Sequence, residues 1–449
     1  MSAVLPVRTS PGFAAAWSPG KNLSALFSRR DDTFDLINGL RSLSFIWILI
    51  FHTCYVYGAV AGKEAVFKLA EDAPAWLWWI FNADKAVDLF FVLSGFLIGL
   101  ILFREVSRTG SIQLGRFYFR RYLRLTPVYA LVLGVYWLSG ARNHEQVWAN
   151  LFYVNNFLEA EAMPLQWTWS LAVEEQFYLL LPLILIGIAR LPGRPFMRVM
   201  GGLLVLSFLI RLVAFLLMPD LWSADYRTLI TEKPLCLSYY EHIYDNLITR
   251  YGPFVCGTMA ACAYCSYRET LGAWLRENNS IRIALNLVAA AMVLVFLQLP
   301  VSNQIFAGGS WQFRTYVVVH HTLFAGGIAW LMLDAFLNQS PKNWLIRFLS
   351  LRLWQPFSQL TYSMYLVHVL VILGVTFPIN RILKNMPELD ATVRTVAALG
   401  ITAVLSLAIT ALIGILCWLL IEKPFLNLRD QAGAGQGAAS AAPLQRSLA

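Results

Sequence analysis

An all-α, polytopic integral membrane protein with about ten transmembrane helices and both termini cytoplasmic is the fold that the sequence predicts, and three observations carry it. Of 449 residues, 58% are hydrophobic and 14% charged, against roughly 25% charged in an ordinary soluble domain, so a soluble globular enzyme is excluded. Apolar runs of about the 20 residues that a helix needs to cross a bilayer core recur along nearly the whole chain. Between them Lys and Arg are distributed unevenly from loop to loop, the pattern that sets orientation in a membrane. The formal charge of +9 is spread by that topology rather than gathered in one basic domain, which argues against a nucleic-acid partner.

Taken in order, the expected spans are Leu36 to Val60, Ala86 to Phe103, Leu125 to Ser139, Leu171 to Ala189, Val199 to Met218, Gly252 to Tyr267, Ile283 to Leu299, Tyr316 to Phe336, Leu360 to Phe377 and Thr395 to Ile421. Charge clusters, Gly and Pro divide them, and the third and sixth are the weakest. The first run starts too far into the chain, and is too long, for a secretory signal, so it is expected to stay as a span. The N-terminal segment, the even-numbered loops and the tail hold about twice as many Lys and Arg as the opposite loops. That richer side is expected to face the cytoplasm, with the protein in a bacterial inner membrane. The chain then divides into a flexible basic N-terminus at 1–34, a membrane domain at 35–428 and a low-complexity tail at 429–449. Cys262 and Cys265 form a single CxxC without a second pair or a histidine at ligand spacing, so no metal is expected.

Ionisable side chains inside a bilayer are costly, which makes each a functional candidate. Arg41 and His52 are eleven residues apart in the first span; at about 100° and 1.5 Å per residue they share a helical face and stand about 16 Å apart along it. The second span runs inward and opens with Asp88 in AVDLFFVLSGFLIG. There Gly95 shares the face of the acid and offers a close helix approach beneath it. The fourth span opens with WSLAVEEQFYLLLPL, which puts Glu174 or Glu175 near its outer end. His52, Asp88 and a glutamate are thus expected at similar depth, where a carboxylate orienting an imidazole would build a general base. The plainer readings are a histidine bonded to a neighbouring helix and acids favoured by helix N-termini.

Arg116, Arg120, Arg121 and Arg124 cluster before the third span in RFYFRRYLRLTP, on the same surface as Arg41. Clustered guanidinium groups suit phosphates, and they equally anchor an inside loop or meet anionic lipid. In the ninth span Tyr362, Ser363, Tyr365 and His368 recur on overlapping faces as candidate channel lining, interhelical hydrogen bonding being the plainer role. The long outer loop from Pro219 to Tyr251 interleaves Trp222, Tyr226, Tyr239, Tyr240 and Tyr244 with acids. Such a surface would grip a sugar or form an interfacial aromatic belt. His320 and His321, at the outer start of the eighth span, read as interfacial residues.

FDLINGLRSLSFIWILIFH, VDLFFVLSGFLI, FYFRRYLRLTPVY, WSLAVEEQFYLLLPL, TYSMYLVHVLV and IEKPF, in that order, resemble the acyltransferase 3 family of membrane O-acyltransferases, over about Phe34 to Phe425. The resemblance implies ten or so membrane helices and transfer of an acyl group, usually acetyl from acetyl-CoA, to a carbohydrate or other acceptor. It implies His52 as the essential histidine, Arg41 as its partner in an Arg-x10-His pattern, and Arg121 and Arg124 as an Arg-x-x-Arg motif that binds the acyl donor. The first motif departs from the family by carrying Asn38 where an acid usually stands, with Asp35 one turn away. Some members add a hydrolase-like domain after the membrane part; with none in this sequence, a stand-alone or partner-dependent transferase is expected.

Residues and resemblance together give an expected mechanism. The nucleotide end of acyl-CoA sits among Arg41, Arg121 and Arg124, and its pantetheine arm reaches toward His52 past Ser94, Tyr362, Tyr365 and His368. His52 takes the proton of an acceptor hydroxyl, or carries the acyl group itself, with Asp88 or Glu174 fixing its tautomer. The partners are then membrane lipid, acyl-CoA and a carbohydrate or glycoconjugate acceptor. A secondary transporter or flippase would bury the same charges along one path. The halves show no repeat and no matching pair of Gly/Pro-broken helices, features that such a protein would carry.

Overall fold

The computed structural model describes residues 16–28, 34–193, 195–299, 307–338, 343–386 and 388–430. Among these there is no strand. The long helices are α1 (Asp35–Ala61), α2 (Lys85–Thr109), α3 (Leu114–Leu138), α4 (Trp169–Ala189), α5 (Phe196–Leu216), α6 (Gly252–Glu277), α7 (Asn279–Gln298), α8 (Trp311–Asn338), α9 (Trp354–Lys384) and α10 (Ala391–Cys417). Each expected span coincides with one of them. Eight helical segments of the described residues are long and apolar enough to cross a membrane. The two helices that fall short are α3 and α6, the counterparts of the weakest spans.

Those two also show where hydropathy misplaces a boundary. The stretch from Arg104 to Arg124, expected as a loop, is the last turns of α2 and the first turns of α3. Similarly, α6 continues past Tyr267 to Glu277. Backbone bonding between residues i and i−4 is indifferent to side-chain polarity, and Arg, Leu and Glu are good helix formers. Arg121 and Arg124 are therefore held on a helix.

The N-terminal segment, expected to be flexible, contains a helix at Pro19–Phe27. It docks on a π-helical turn at Trp418–Glu422, where the Trp418 indole donates to the Asn22 carbonyl at 3.3 Å and the Trp17 indole to the Leu420 carbonyl at 3.1 Å. The rest of the segments expected to be disordered, 1–15, 29–33 and 431–449, lies outside the described residues.

Helix α2 forms the centre, with 78% of its apolar window buried. It crosses α6 at Gly95 and Gly257. A Cβ on Gly95 would lie 2.1 Å from the Phe254 carbonyl oxygen, and one on Gly257 would lie 2.1 Å from that of Val92. This is the close approach expected beneath Asp88, and any larger residue would push the helices apart. Helix α8 packs against α6, α7 and α2, while α9 joins α1 to α10. At the rim α7 is only 11% buried in its apolar window. It turns Leu287 and Val288 outward, as a lipid-facing helix must.

Candidate functional site

Two adjoining cavities lie between α1, α2, α4 and α9. The arginine cavity is lined by Arg41 from α1, Ser94 from α2, Arg121 and Arg124 from α3, and Glu174 and Tyr178 from α4, with Tyr362 and Tyr365 closing it from α9. The Arg41 guanidinium donates to the Thr361 hydroxyl at 3.3 Å. Arg121 lies over the Tyr178 ring at 3.6 Å and pairs with Glu175 at 3.7 Å. Glu174 accepts from the hydroxyls of Ser94 and Tyr178. Beside them Glu422, at the end of the π-helical turn, accepts from Ser363 at 2.8 Å and faces Arg41 and Arg124 electrostatically. Among the described residues Arg124 makes no hydrogen bond or ion pair, so its five N–H donors are unspent at the cavity wall.

The aromatic cavity holds His52 among Trp167, Trp169, Tyr240, Tyr244 and Tyr316. Val87 and Tyr365 line both cavities. The Tyr365 hydroxyl donates to the Trp167 carbonyl at 2.7 Å and lies 2.6 Å from the Ser170 hydroxyl. It thereby ties a wall of one cavity to a wall of the other.

The partner of His52 is another imidazole. His368 Nδ1 lies 2.6 Å from the Tyr365 carbonyl, which can only accept, so the His368 proton sits on Nδ1 and its Nε2 presents a lone pair. That Nε2 is 3.0 Å from His52 Nδ1, and His52 Nδ1 is also 3.1 Å from the Ile48 carbonyl. Both neighbours of His52 Nδ1 are acceptors. Hydrogen bonding therefore assigns the His52 proton to Nδ1 and leaves Nε2 as the basic nitrogen.

Asp88 belongs to a separate, sealed cluster. Its carboxylate pairs with Arg250 at 3.0 Å and with His321 Nδ1 at 2.5 Å, all three being fully buried. Arg250 also contacts His321 Nε2 and lies over the Tyr244 ring at 4.7 Å. His320 stacks between Tyr316 and His321, its ring centroid 4.1 Å from the tyrosine. Asp84, His320 and His321 bring ligand atoms within 4.8 Å of one another. However, Lys85 occupies the Asp84 carboxylate at 2.8 Å, and both His321 nitrogens are engaged. The three do not offer a free metal-ligand set.

The expected residues are thus sorted into three groups. Arg41, Arg121, Arg124, Ser94, Glu174, Tyr362 and Tyr365 share the arginine cavity. His52 and His368 form a pair beside the aromatic one. Asp88 is with neither. The expectation that Asp88 or Glu174 stands beside His52 is corrected: a buried carboxylate requires a cation, and Arg250 supplies it for Asp88. Glu174 lies five residues into α4, about 7 Å along the helix, at the level of the arginines. His321, expected at an interface, is fully buried. Arg250 ends a short helix at Leu247–Arg250, inside the stretch expected as an outer loop, and nothing in the sequence pointed to it. Glu422 ended an apolar run inside IEKPF, which was the available signal.

Long helices enclosing a cationic cavity and a histidine-lined cavity with a shared wall define a polytopic membrane protein with an internal site. The profile of the acyltransferase 3 family, described as an acyltransferase domain, matches residues 34–419, and the chain belongs to that family. It is 25% identical over 408 residues to nose resistant to fluoxetine protein 6 of Caenorhabditis elegans, covering 80% of this chain and 48% of that protein. A putative O-acetyltransferase of Staphylococcus aureus is 33% identical over 168 residues, 33% of this chain and 24% of its own. The peptidoglycan O-acetyltransferase OatA of Listeria monocytogenes is 29% identical over 192 residues, 38% of this chain and 27% of its own. The chain spans about half or less of the length of these relatives. No solved structure matches it.

Proposed function

We propose that this chain moves an acyl group, acetyl in the first instance, from cytoplasmic acyl-CoA to a hydroxyl of a carbohydrate or glycoconjugate presented at the outer face of a bacterial inner membrane. The observation that carries this reading is the wall shared by the two cavities. Unspent Arg124 donors lie on one side of Tyr365 and the basic nitrogen of His52 belongs to the other. Membership of the acyltransferase 3 family and the relatives named as O-acetyltransferases support it.

The phosphates of the donor sit against Arg41, Arg121 and Arg124 by charge-assisted hydrogen bonds. The thioester end of the pantetheine arm passes Tyr365 to reach His52, about 16 Å along α1 from Arg41. The acceptor O–H gives its proton to His52 Nε2 as its oxygen attacks the thioester carbonyl carbon. The C–S bond then breaks, and the departing thiolate takes the proton back from the imidazolium. His368 and the Ile48 carbonyl keep the His52 proton on Nδ1. Glu174 and Glu422 set the positions of the arginines through their charge.

The test is loss of labelled acetyl groups from acetyl-CoA in membranes holding wild type or His52→Ala, with a glycan extract of the host cell as acceptor. Transfer by wild type that vanishes in a variant still able to bind acetyl-CoA supports the reading. Equal transfer by His52→Ala removes His52 from the chemistry, and a protein that neither transfers nor binds acyl-CoA moves the transporter reading ahead.

A further inference from the structure

The aromatic cavity has a polar neighbour. It adjoins a recess lined by Arg142, Asn143, Glu161 and Lys233, and Tyr55, Gln166 and Leu237 line both. The recess is built rather than incidental. Glu161 accepts from Lys233 at 2.6 Å, and its backbone carbonyl accepts from the Asn143 amide at 2.6 Å and from Arg142 at 3.2 Å.

Gln166 stands at the junction. Its backbone is pinned on every side: Leu165 before it holds φ 42, a left-handed conformation that non-glycine residues rarely adopt. After it, the Trp167 indole donates to the Leu366 carbonyl at 3.2 Å, and Thr168 takes a bond from Asn150 at 2.8 Å. The Trp167 ring in turn lies 6.3 Å from that of His368, centre to centre. The turn carrying Gln166 is therefore fixed relative to the His52–His368 pair. Yet the carboxamide itself makes no hydrogen bond among the described residues. Strain held in place by surrounding contacts is characteristic of ligand-binding positions.

We propose that Gln166 reads the acceptor, and that the acceptor is a chain of at least two saccharide units, one held among the aromatic rings beside His52 and its neighbour in the polar recess. This rests on the acyl-transfer reading. A carboxamide offers two donors and an acceptor in one plane, which matches adjacent hydroxyls or an amide substituent on a sugar ring. Tyr and Trp rings offer the flat apolar faces that sugar C–H surfaces cover. A purely apolar ligand would desolvate the Gln166 amide without replacing its bonds. A lone monosaccharide would leave the recess and its charges unused.

The experiment uses the full chain in membranes, labelled acetyl-CoA, and host glycan extract either intact or hydrolysed to monosaccharides. Gln166→Met, which keeps the shape, and Gln166→Ala raise the half-saturating concentration of intact extract about tenfold, the effect of one or two lost hydrogen bonds. Half-saturation by acetyl-CoA, and its slow hydrolysis by water without extract, stay as in wild type. The hydrolysed extract is a poor acceptor for wild type. Unchanged half-saturation in both variants, or a fall only in the amount of folded protein, overturns the role of Gln166. A hydrolysate as good as the intact extract overturns the two-unit acceptor. Absence of any His52-dependent transfer by wild type is a different result, and it removes the acyl-transfer reading itself.

Discussion

His52 and His321 sit in the same membrane domain, the first half-buried and the second fully buried, and keep different company. His52 has an imidazole and a backbone carbonyl on one nitrogen, and it lines a cavity. His321 has a carboxylate on one nitrogen, a guanidinium on the other, and no exposed surface. A carboxylate–histidine pair is the arrangement one expects of catalysis, yet here it lies in the sealed cluster. The histidine open to a ligand has no charged partner. Accessibility separates the two better than hydrogen-bond chemistry does. Asp88, Arg250 and His321 tie α2, the segment before α6, and α8 into one block, while His52 and His368 place a lone pair where a substrate can come.

The largest expected effect tests the open histidine. His52→Ala should lower transfer by at least about 10³-fold, the scale of a lost general base, with the thermal transition in detergent unchanged. His321→Ala should do the reverse, losing folded protein before it loses activity per folded molecule.

Next comes the sealed pair. Asp88→Leu or Arg250→Leu alone leaves a buried charge uncompensated and should cost about 3–5 kcal/mol, whereas the double substitution should be much milder. Equal losses in single and double variants, by urea or thermal unfolding, would show that the pair acts through packing rather than charge.

His368→Ala sharpens the comparison from the other side. Misplacing His52 by about 1 Å should cost about 10²-fold in turnover, while acetyl-CoA binding stays intact. A wild-type rate in that variant would return the His52 tautomer to Ile48 alone.

A pH-dependent effect lies at the edge of the block, at Asp245, just before the short helix Leu247–Arg250 that carries Arg250. Burial, with the Glu241 carboxylate beside it, pushes the Asp245 carboxyl up to about 8. The unfolded chain gives up that proton near about pH 4, so the folded state loses stability as pH rises from there to about 8 and is level above it. Asp245→Asn should leave the melting temperature unchanged near pH 4 and raise it most at pH 8 and beyond. A gain that is equal at both ends of the range would remove ionisation as the cause.

The order and number of long helices were legible in the sequence because the length of an apolar run is a local property, set by the thickness of the bilayer. Helix ends were less so, because Arg104 to Arg124 and the end of α6 are charged yet helical. The gathering of Arg41, Arg121 and Arg124 was also legible, since their shared end of the molecule follows from topology alone. Gly95 as the close-approach point followed from its face on α2.

What the sequence could not carry was which partner each side chain meets. His52 and His368 are 316 residues apart in the chain, and Asp88 and His321 are 233 apart. Their pairing depends on how each helix is rotated about its own axis and which neighbour it meets. A helical period gives the face but not its azimuth in the bundle. So the chain alone determined a ten-helix membrane domain with cationic and histidine-bearing ends. Only tertiary packing decided that Asp88 closes a structural lock, that His368 sets the His52 tautomer, and that Gln166 faces two cavities at once.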